Sequence, residues 1–248
     1  MASFKDHFSA HAAQYAAHRP TYPPALVDAL ADLAGGTRLA LDCGCGTGQL
    51  SVPLGARFDR VIAIDGSAAQ IAAAERHPRV EYRVALAESS GLPARTVDLV
   101  TVAQAAHWFD LTRFYAEVRR VGRTGGLLAL VTYGNIDTDP DVVRIVQDFR
   151  RDVIDRFWPP ERIHVDTGYR QLLFPFEELE PPAFALEQSW SLGDFLGYID
   201  TWSAVRAAEA AMGRAPLETF AGMLRDVWGP PETRKIIRWP LSMRLGRL

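Results

Sequence analysis

The sequence predicts an α/β fold, a mostly parallel sheet with helices on both faces. From Arg38 to Leu130 short apolar runs alternate with helical stretches, the pattern that buries a parallel sheet between two helix layers. An apolar strand runs into a glycine-rich turn at Leu39-Ala-Leu-Asp-Cys-Gly-Cys-Gly-Thr-Gly, and the next strand ends in an acid at Ile62-Ala-Ile-Asp65. Expected strands are Arg38 to Asp42, Arg60 to Asp65, Val80 to Ala85, Val97 to Val102 and Leu127 to Thr132. Helices are expected from Gln49 to Arg57, Ser67 to Arg76 and Leu111 to Val121, the last with apolar Phe114, Val118 and Val121 on one face. Right-handed crossovers then bring every parallel strand's C-terminal end to one rim, where a ligand should lie.

Beyond Tyr133 the texture changes. A helix is expected from Asp141 to Phe157, followed by Trp158-Pro-Pro and a stretch of mixed aromatic and charged residues, so 135–182 reads as a cap inserted over the substrate. Alternation resumes with a strand near Phe184 to Trp190. Helical segments over Leu192 to Met212 and Pro216 to Trp228 lead to a final strand from Arg234 to about Leu245, where Pro240 predicts a bulge or an edge because proline cannot donate to a ladder. The whole chain, 1–248, reads as one domain, with 1–36 as an N-terminal helical lid.

Twenty-seven Lys and Arg against thirty Asp and Glu give a net charge of −3, which offers no general attraction to nucleic acid or anionic membrane. No stretch approaches the ~18 consecutive apolar residues of a membrane span, and the N-terminus is too polar for a signal peptide. Cys43 and Cys45 have no second pair at zinc-site spacing, so no metal is expected and both read as small wall residues. The expected compartment is a reducing cytoplasm.

The glycine turn carries the most information. Gly44-x-Gly46-x-Gly48 directly after Asp42 lets a ligand pack on bare backbone beside a helix N-terminus. A dinucleotide fingerprint starting at Gly44 would need a third glycine where the chain has Gln49. Asp65 stands at the rim beside this loop, where a carboxylate can accept both hydroxyl protons of a ribose; it could equally cap the helix that begins near Ser67.

Asp42-Cys-Gly-Cys-Gly-Thr-Gly, Ile64-Asp-Gly-Ser67, Ala87-Glu88 with Leu92-Pro93, Val97-Asp-Leu-Val-Thr and His107-Trp-Phe together resemble the class I S-adenosylmethionine-dependent methyltransferases, in particular the small-molecule methyltransferase type 11 group. The resemblance covers roughly residues 1–133. It implies a Rossmann-like sheet of seven strands, the last antiparallel, with S-adenosylmethionine bound at the strand ends and S-adenosylhomocysteine as product. It implies that Asp42 and the backbone of Gly44, Cys45, Gly46, Thr47 and Gly48 hold the methionine part, that Asp65 and Gly66 hold the ribose, and that Ala87 and Glu88 border the adenine. Many relatives have an acid where this chain has Leu86, so the adenine here should rest on backbone and apolar packing. Tyr15 and Arg19 resemble a segment that closes over the cofactor near its carboxylate, a task suited to a planar guanidinium.

Methyl transfer from a sulfonium depends mainly on alignment, so a base is optional. The acceptor is expected to be a small molecule methylated on O, N or C, with a carboxylate among the candidates. His107 is the candidate base, because it follows the fourth strand; Gln104 should border the cofactor. Trp108, Tyr133, Trp158, Tyr169 and Trp202 are candidate substrate contacts. Other readings of the same loop are a nicotinamide-dependent oxidoreductase and a cofactor-binding protein without transferase activity.

Overall fold

A computed structural model describes residues 20–248. Five strands form the parallel part of the sheet: β1 (Leu39–Cys43), β2 (Arg60–Asp65), β3 (Val80–Val84), β4 (Val97–Ala103) and β5 (Gly122–Thr132). Helix α1 (Pro24–Leu33) precedes them, and α2 (Ser51–Leu54), α3 (Ala68–Ala72) and α4 (Leu111–Val121) connect them. The full sheet has seven strands in the order β3-β2-β1-β4-β5-β9-β6, with β9 (Ser242–Arg247) antiparallel to β5 and β6 (Glu177–Leu179) antiparallel to β9. The order reverses between β1 and β4, so the chain leaves these two strands in opposite directions and opens a crevice between their C-terminal ends.

Side-chain alternation builds the two layers. Along β5, Leu127, Ala129 and Val131 face one core, and Leu128 and Leu130 face the other. The first core receives α1 through Leu26, Val27, Leu30 and Ala31; the second receives α4 through Phe114, Tyr115, Val118 and Val121. The part of the expected lid that forms α1 is therefore a fixed layer of the core, because its apolar face is fully buried. Residues 1–19, with Tyr15 and Arg19, lie outside the described residues.

The second half of the chain departs from the expected layout. Helix α5 (Pro140–Phe149) widens into one π turn at Arg150–Ile154 and a 3₁₀ turn at Asp155–Phe157, then α6 (Arg162–Asp166) follows Trp158-Pro-Pro. The proposed insertion does not stop short of the sheet, since β6 near its end is the sheet's outermost strand. The expected strand from Arg234 to Leu245 is two strands. β8 (Lys235–Pro240) pairs with β7 (Ala185–Trp190) in a separate ribbon, and the chain turns at Pro240–Leu241 to enter the main sheet as β9. Helices α7 (Leu192–Asp200), α8 (Ser203–Met212) and α9 (Ala215–Trp228) lie between the ribbon strands in sequence. Trp190, Tyr198 and Trp239 interlock there, and the Trp239 indole donates to the Tyr198 hydroxyl at 3.1 Å.

The loop after β3, which brings Ala87 and Glu88 to the rim, is pinned to α4 by Glu117. Its carboxylate accepts from Arg120 on both oxygens at 2.7 Å, and from the Ser90 amide and hydroxyl at 2.9 and 2.6 Å. Hydrogen bonding by Arg120, then by Ser90, holds the Glu117 carboxyl down at about 2. A folded-state pKa below the unfolded one gives stability that is present above the unfolded pKa and disappears as pH falls through the folded value. Glu117→Gln should therefore cost about 1–3 kcal/mol at pH 7, and the gap to wild type should shrink between the ordinary glutamate pKa and about 2. Urea unfolding of both proteins at pH 7 and pH 3 checks this; an unchanged gap would show that the pin is not electrostatic.

Candidate functional site

The crevice between β1 and β4 is a cleft of about 240 Å³. Asp42, near the end of β1, is fully buried at its base, and its two oxygens accept from Ser51 Oγ at 2.6 Å and Thr101 Oγ1 at 2.7 Å. Thr101 is its register partner on β4, and Ser51 opens α2, so one carboxylate ties both sides of the crevice. Burial pushes the Asp42 carboxyl up to about 6 against these two hydrogen bonds, with repulsion from Asp65 adding to the rise.

Gly44 adopts φ +66°, and a Cβ there would meet Ala105 Cβ at 2.5 Å, so only glycine lets the loop lie this close to the end of β4. Gly46, at φ +56°, is different: a Cβ there would have no atom within 3.5 Å, leaving bare backbone beside the cleft. Asp65 organises the same loop, accepting from the Gly46 amide at 2.9 Å and the Ser67 amide at 2.8 Å. The Ser67 side chain caps α3 itself, accepting from Gln70 N. Asp65 thus stays at the rim and lines the cleft with Gly66.

On the far side, Ala87 and Glu88 line the cleft, and Glu88 accepts the Asp110 amide at 2.9 Å, which joins the β3 loop to the start of α4. Leu86 keeps 41 % of its surface exposed where it lines the cleft, an apolar platform at the lip. Gln104 closes the inner end at φ +57°, a backbone region that non-glycine residues seldom occupy. Its side chain is fixed at both ends, donating to the Tyr133 carbonyl at 2.7 Å and accepting from Thr132 at 2.6 Å.

Gln104, Trp108 and Tyr133 also line a second, smaller chamber of about 70 Å³. His107, Trp158, Arg162, Tyr198 and Trp202 complete its main walls. Among the described residues, those predicted from the sequence thus assemble around two adjoining spaces, with three exceptions. Thr47 and Gly48 are not on the cleft wall: Thr47 is buried and accepts from Gln49, and a side chain at position 48 would run into the Tyr82 hydroxyl. Tyr169, expected to touch substrate, lies fully buried behind the chamber, its hydroxyl 2.9 Å from His107 Nδ1. Tyr169 supports His107 and lines neither space. Burial pushes His107 down to about 3, with Arg162 and His164 adding to the fall, so the ring is neutral near pH 7 and a weak base.

Several wall residues escaped the sequence reading. Gln49, Leu50, Phe109 and Asp110 line the cleft. Phe109 and Asp110 directly follow the His107-Trp108 motif, which was the available signal; Gln49 and Leu50 carry none beyond following the glycine loop. Cys45 lines the cleft, while Cys43 is buried in the second core. No helix of the described residues is long and apolar enough to cross a membrane.

Residues 41–130 match the family described as "Methyltransferase domain". A solved structure from Anaeromyxobacter dehalogenans, whose description assigns it to the type II methyltransferases, superposes with a TM-score of 0.88 at 50% identity, covering 92% of this chain and 97% of that one. A Saccharomyces cerevisiae protein whose name places it among the S-adenosylmethionine-dependent methyltransferases is 33% identical over 130 residues, 49% of this chain and 45% of its own length. A Dictyostelium discoideum protein, also placed by its name among the methyltransferases, is 37% identical over 208 residues, 82% of this chain and 79% of its own length. Likeness on that scale decides the family: the chain belongs to the S-adenosylmethionine-dependent methyltransferases.

Proposed function

We propose that the cleft holds S-adenosylmethionine and that the chamber receives a small-molecule acceptor. The observation that carries this reading is the charge of the cleft. Asp42, Asp65, Glu88, Asp110 and Glu161 line it, and no Lys, Arg or His does so among the described residues. Such a wall suits a ligand bearing a sulfonium and an ammonium, and suits the pyrophosphate of a dinucleotide poorly.

In this reading the bare backbone at Gly44–Gly46 lies along the methionine part, with Asp42 beneath it. Asp65 accepts from the ribose hydroxyls while its two amide bonds hold its orientation. Leu86 and Ala87 take the face of the adenine, which accounts for a leucine left exposed at the lip. The bound cofactor supplies a methyl group on a sulfonium, passed in line to the acceptor with S-adenosylhomocysteine as product. Gln104, Trp108 and Tyr133, shared by both spaces, form the junction where acceptor and methyl group meet. Holding them aligned is worth up to roughly 7–11 kcal/mol of barrier. A neutral His107, braced by Tyr169, serves as a hydrogen-bonding wall and not as the proton acceptor. The lobe carrying Trp158, Tyr198 and Trp202 is the cap that keeps water from the junction.

Calorimetric titration with S-adenosylmethionine, S-adenosylhomocysteine and NADH should show binding of the two sulfur nucleosides alone; binding of NADH alone would overturn the reading. Asp65→Ala should weaken S-adenosylhomocysteine binding by about 10- to 100-fold with thermal unfolding nearly unchanged. Equal affinity would remove Asp65 from the ribose. Binding of the cationic cofactor should weaken as pH falls through about 6, because Asp42 then takes up a proton and loses its charge; Asp42→Asn should abolish that step. A fourth measurement concerns His107: its ring, followed by nitrogen-detected NMR, should remain neutral down to about pH 4 given a pKa of about 3, and a midpoint near 6.5 would restore it as a candidate base.

A further inference from the structure

The chamber has a single charged side chain on its described lining, Arg162. Only 19 % of that side chain is exposed. Its guanidinium lies over the Trp158 ring, 4.4 Å from the centroid, and Nε donates to Asp166 at 3.0 Å. These contacts fix the plane of the group and use one of its five donor hydrogens. The two terminal nitrogens have no hydrogen-bond partner among the described residues; one of them lies near Gly134, at the chamber wall.

Asp166 does not neutralise the site alone. The same carboxylate oxygen also accepts from Arg150 at 3.1 Å, so two guanidinium groups share one acid. Glu161, adjacent in sequence, lines the cleft and not the chamber. A guanidinium stays charged even where burial disfavours it, and leaving its donors unused in a largely buried position is costly unless an acceptor meets them. Much of the rest of the wall is aromatic or aliphatic, with Trp108, Tyr133, Tyr198, Trp202 and Val165, and the neutral polar groups beside them are Gln104, His107 and Ser203. A volume of about 70 Å³ has room for on the order of five waters, which limits the guest to a small molecule.

Resting on the reading of the cleft as the cofactor site, we propose that the methyl acceptor is a small carboxylic acid with a flat apolar body, its carboxylate docked on the terminal nitrogens of Arg162. A planar fork pairs with a carboxylate through two parallel hydrogen bonds, and the stack on Trp158 holds the fork ready before the acid arrives. Arg162 is then the residue that sets acceptor specificity, and the aromatic walls select the shape of the rest.

The test uses the full chain saturated with S-adenosylhomocysteine, titrated with benzoate and with its neutral isostere benzamide, read by calorimetry and by quenching of the chamber tryptophans. Benzoate should bind at least about tenfold tighter than benzamide. Arg162→Gln should bring benzoate down to the benzamide level while S-adenosylhomocysteine affinity stays at the wild-type value. Arg162→Lys, which keeps the charge and the pairing to Asp166, should retain part of the preference and covers the case where the glutamine variant folds poorly. Equal affinity for the two probes, no binding of either, or a preference that survives Arg162→Gln would overturn the proposal. So would a loss of S-adenosylhomocysteine binding in Arg162→Gln as large as the loss of benzoate, which would give the guanidinium to the cofactor's carboxylate. Failure of wild type to bind S-adenosylhomocysteine at all is a separate result, and it removes the cofactor reading itself.

Discussion

A buried carboxylate at the point where the order of the parallel strands reverses, between β1 and β4, governs how the site is built. Asp42 is desolvated, which disfavours its charge by several kcal/mol unless hydrogen bonds compensate. Those bonds come from Thr101 on the neighbouring strand and Ser51 on the following helix, so the acid can be accommodated only when β1, β4 and α2 stand in their native relation. The crevice between the two strand ends is thereby held at a fixed width. The glycine loop leaves β1 directly above this point, and its course is set a second time by Asp65, which takes the Gly46 amide from the adjoining strand. Two acids from neighbouring strands thus fix the base and the course of a loop in which every second residue is glycine.

The inner end of the cleft is fixed by a different device. Gln104 is held in a left-handed conformation, a state that costs of order 1 kcal/mol or more for a residue with a side chain. Its amide offsets that cost by bridging Thr132 and Tyr133 at the end of β5. The aromatic lobe meets the sheet at the same point. Tyr133 packs edge-on against Trp239, and Tyr169 reaches His107 from the turn after α6. A change in how the lobe sits is therefore felt at the junction of cleft and chamber, and not only at a distant surface.

How legible the sequence was follows from how local each determinant is. Strands β1, β2 and β4 and helix α4 were readable because their apolar periods and their end signals, such as Asp110 capping α4, lie within a few residues. Asp42, Asp65 and the glycine loop were readable for the same reason. The split at Pro240 was not, because β8 and the strand after it have the same composition, and only pairing with Ala185–Trp190 and with β5 separates them. Tyr169 looked like a substrate contact because an aromatic residue in a cap has no local mark of which way it faces. It faces inward because its hydroxyl finds His107, 62 residues away in sequence. Arg162 and Asp166 stand at helical spacing on α6, which predicts their ion pair; that Arg150 shares the acid depends on the π turn and was not visible.

The distribution of charge joins these parts into one chemistry. Carboxylates line the cleft, and the lone charged group on the described chamber wall is a guanidinium, with the neutral Gln104, Trp108 and Tyr133 between them. A cation and an anion placed in the two spaces are each met by the opposite sign, and each would be repelled from the other's place. Their mutual attraction across the junction is strengthened by low local polarity, and it diminishes as the methyl group passes and the sulfonium charge is lost. In the proposed reading the spent cofactor no longer carries the sulfonium charge that an acidic cleft favours, which would ease its release. The acids that would favour the cationic cofactor, Asp42 and Asp65, also have structural tasks, tying β1 to β4 and α2 and holding the glycine loop.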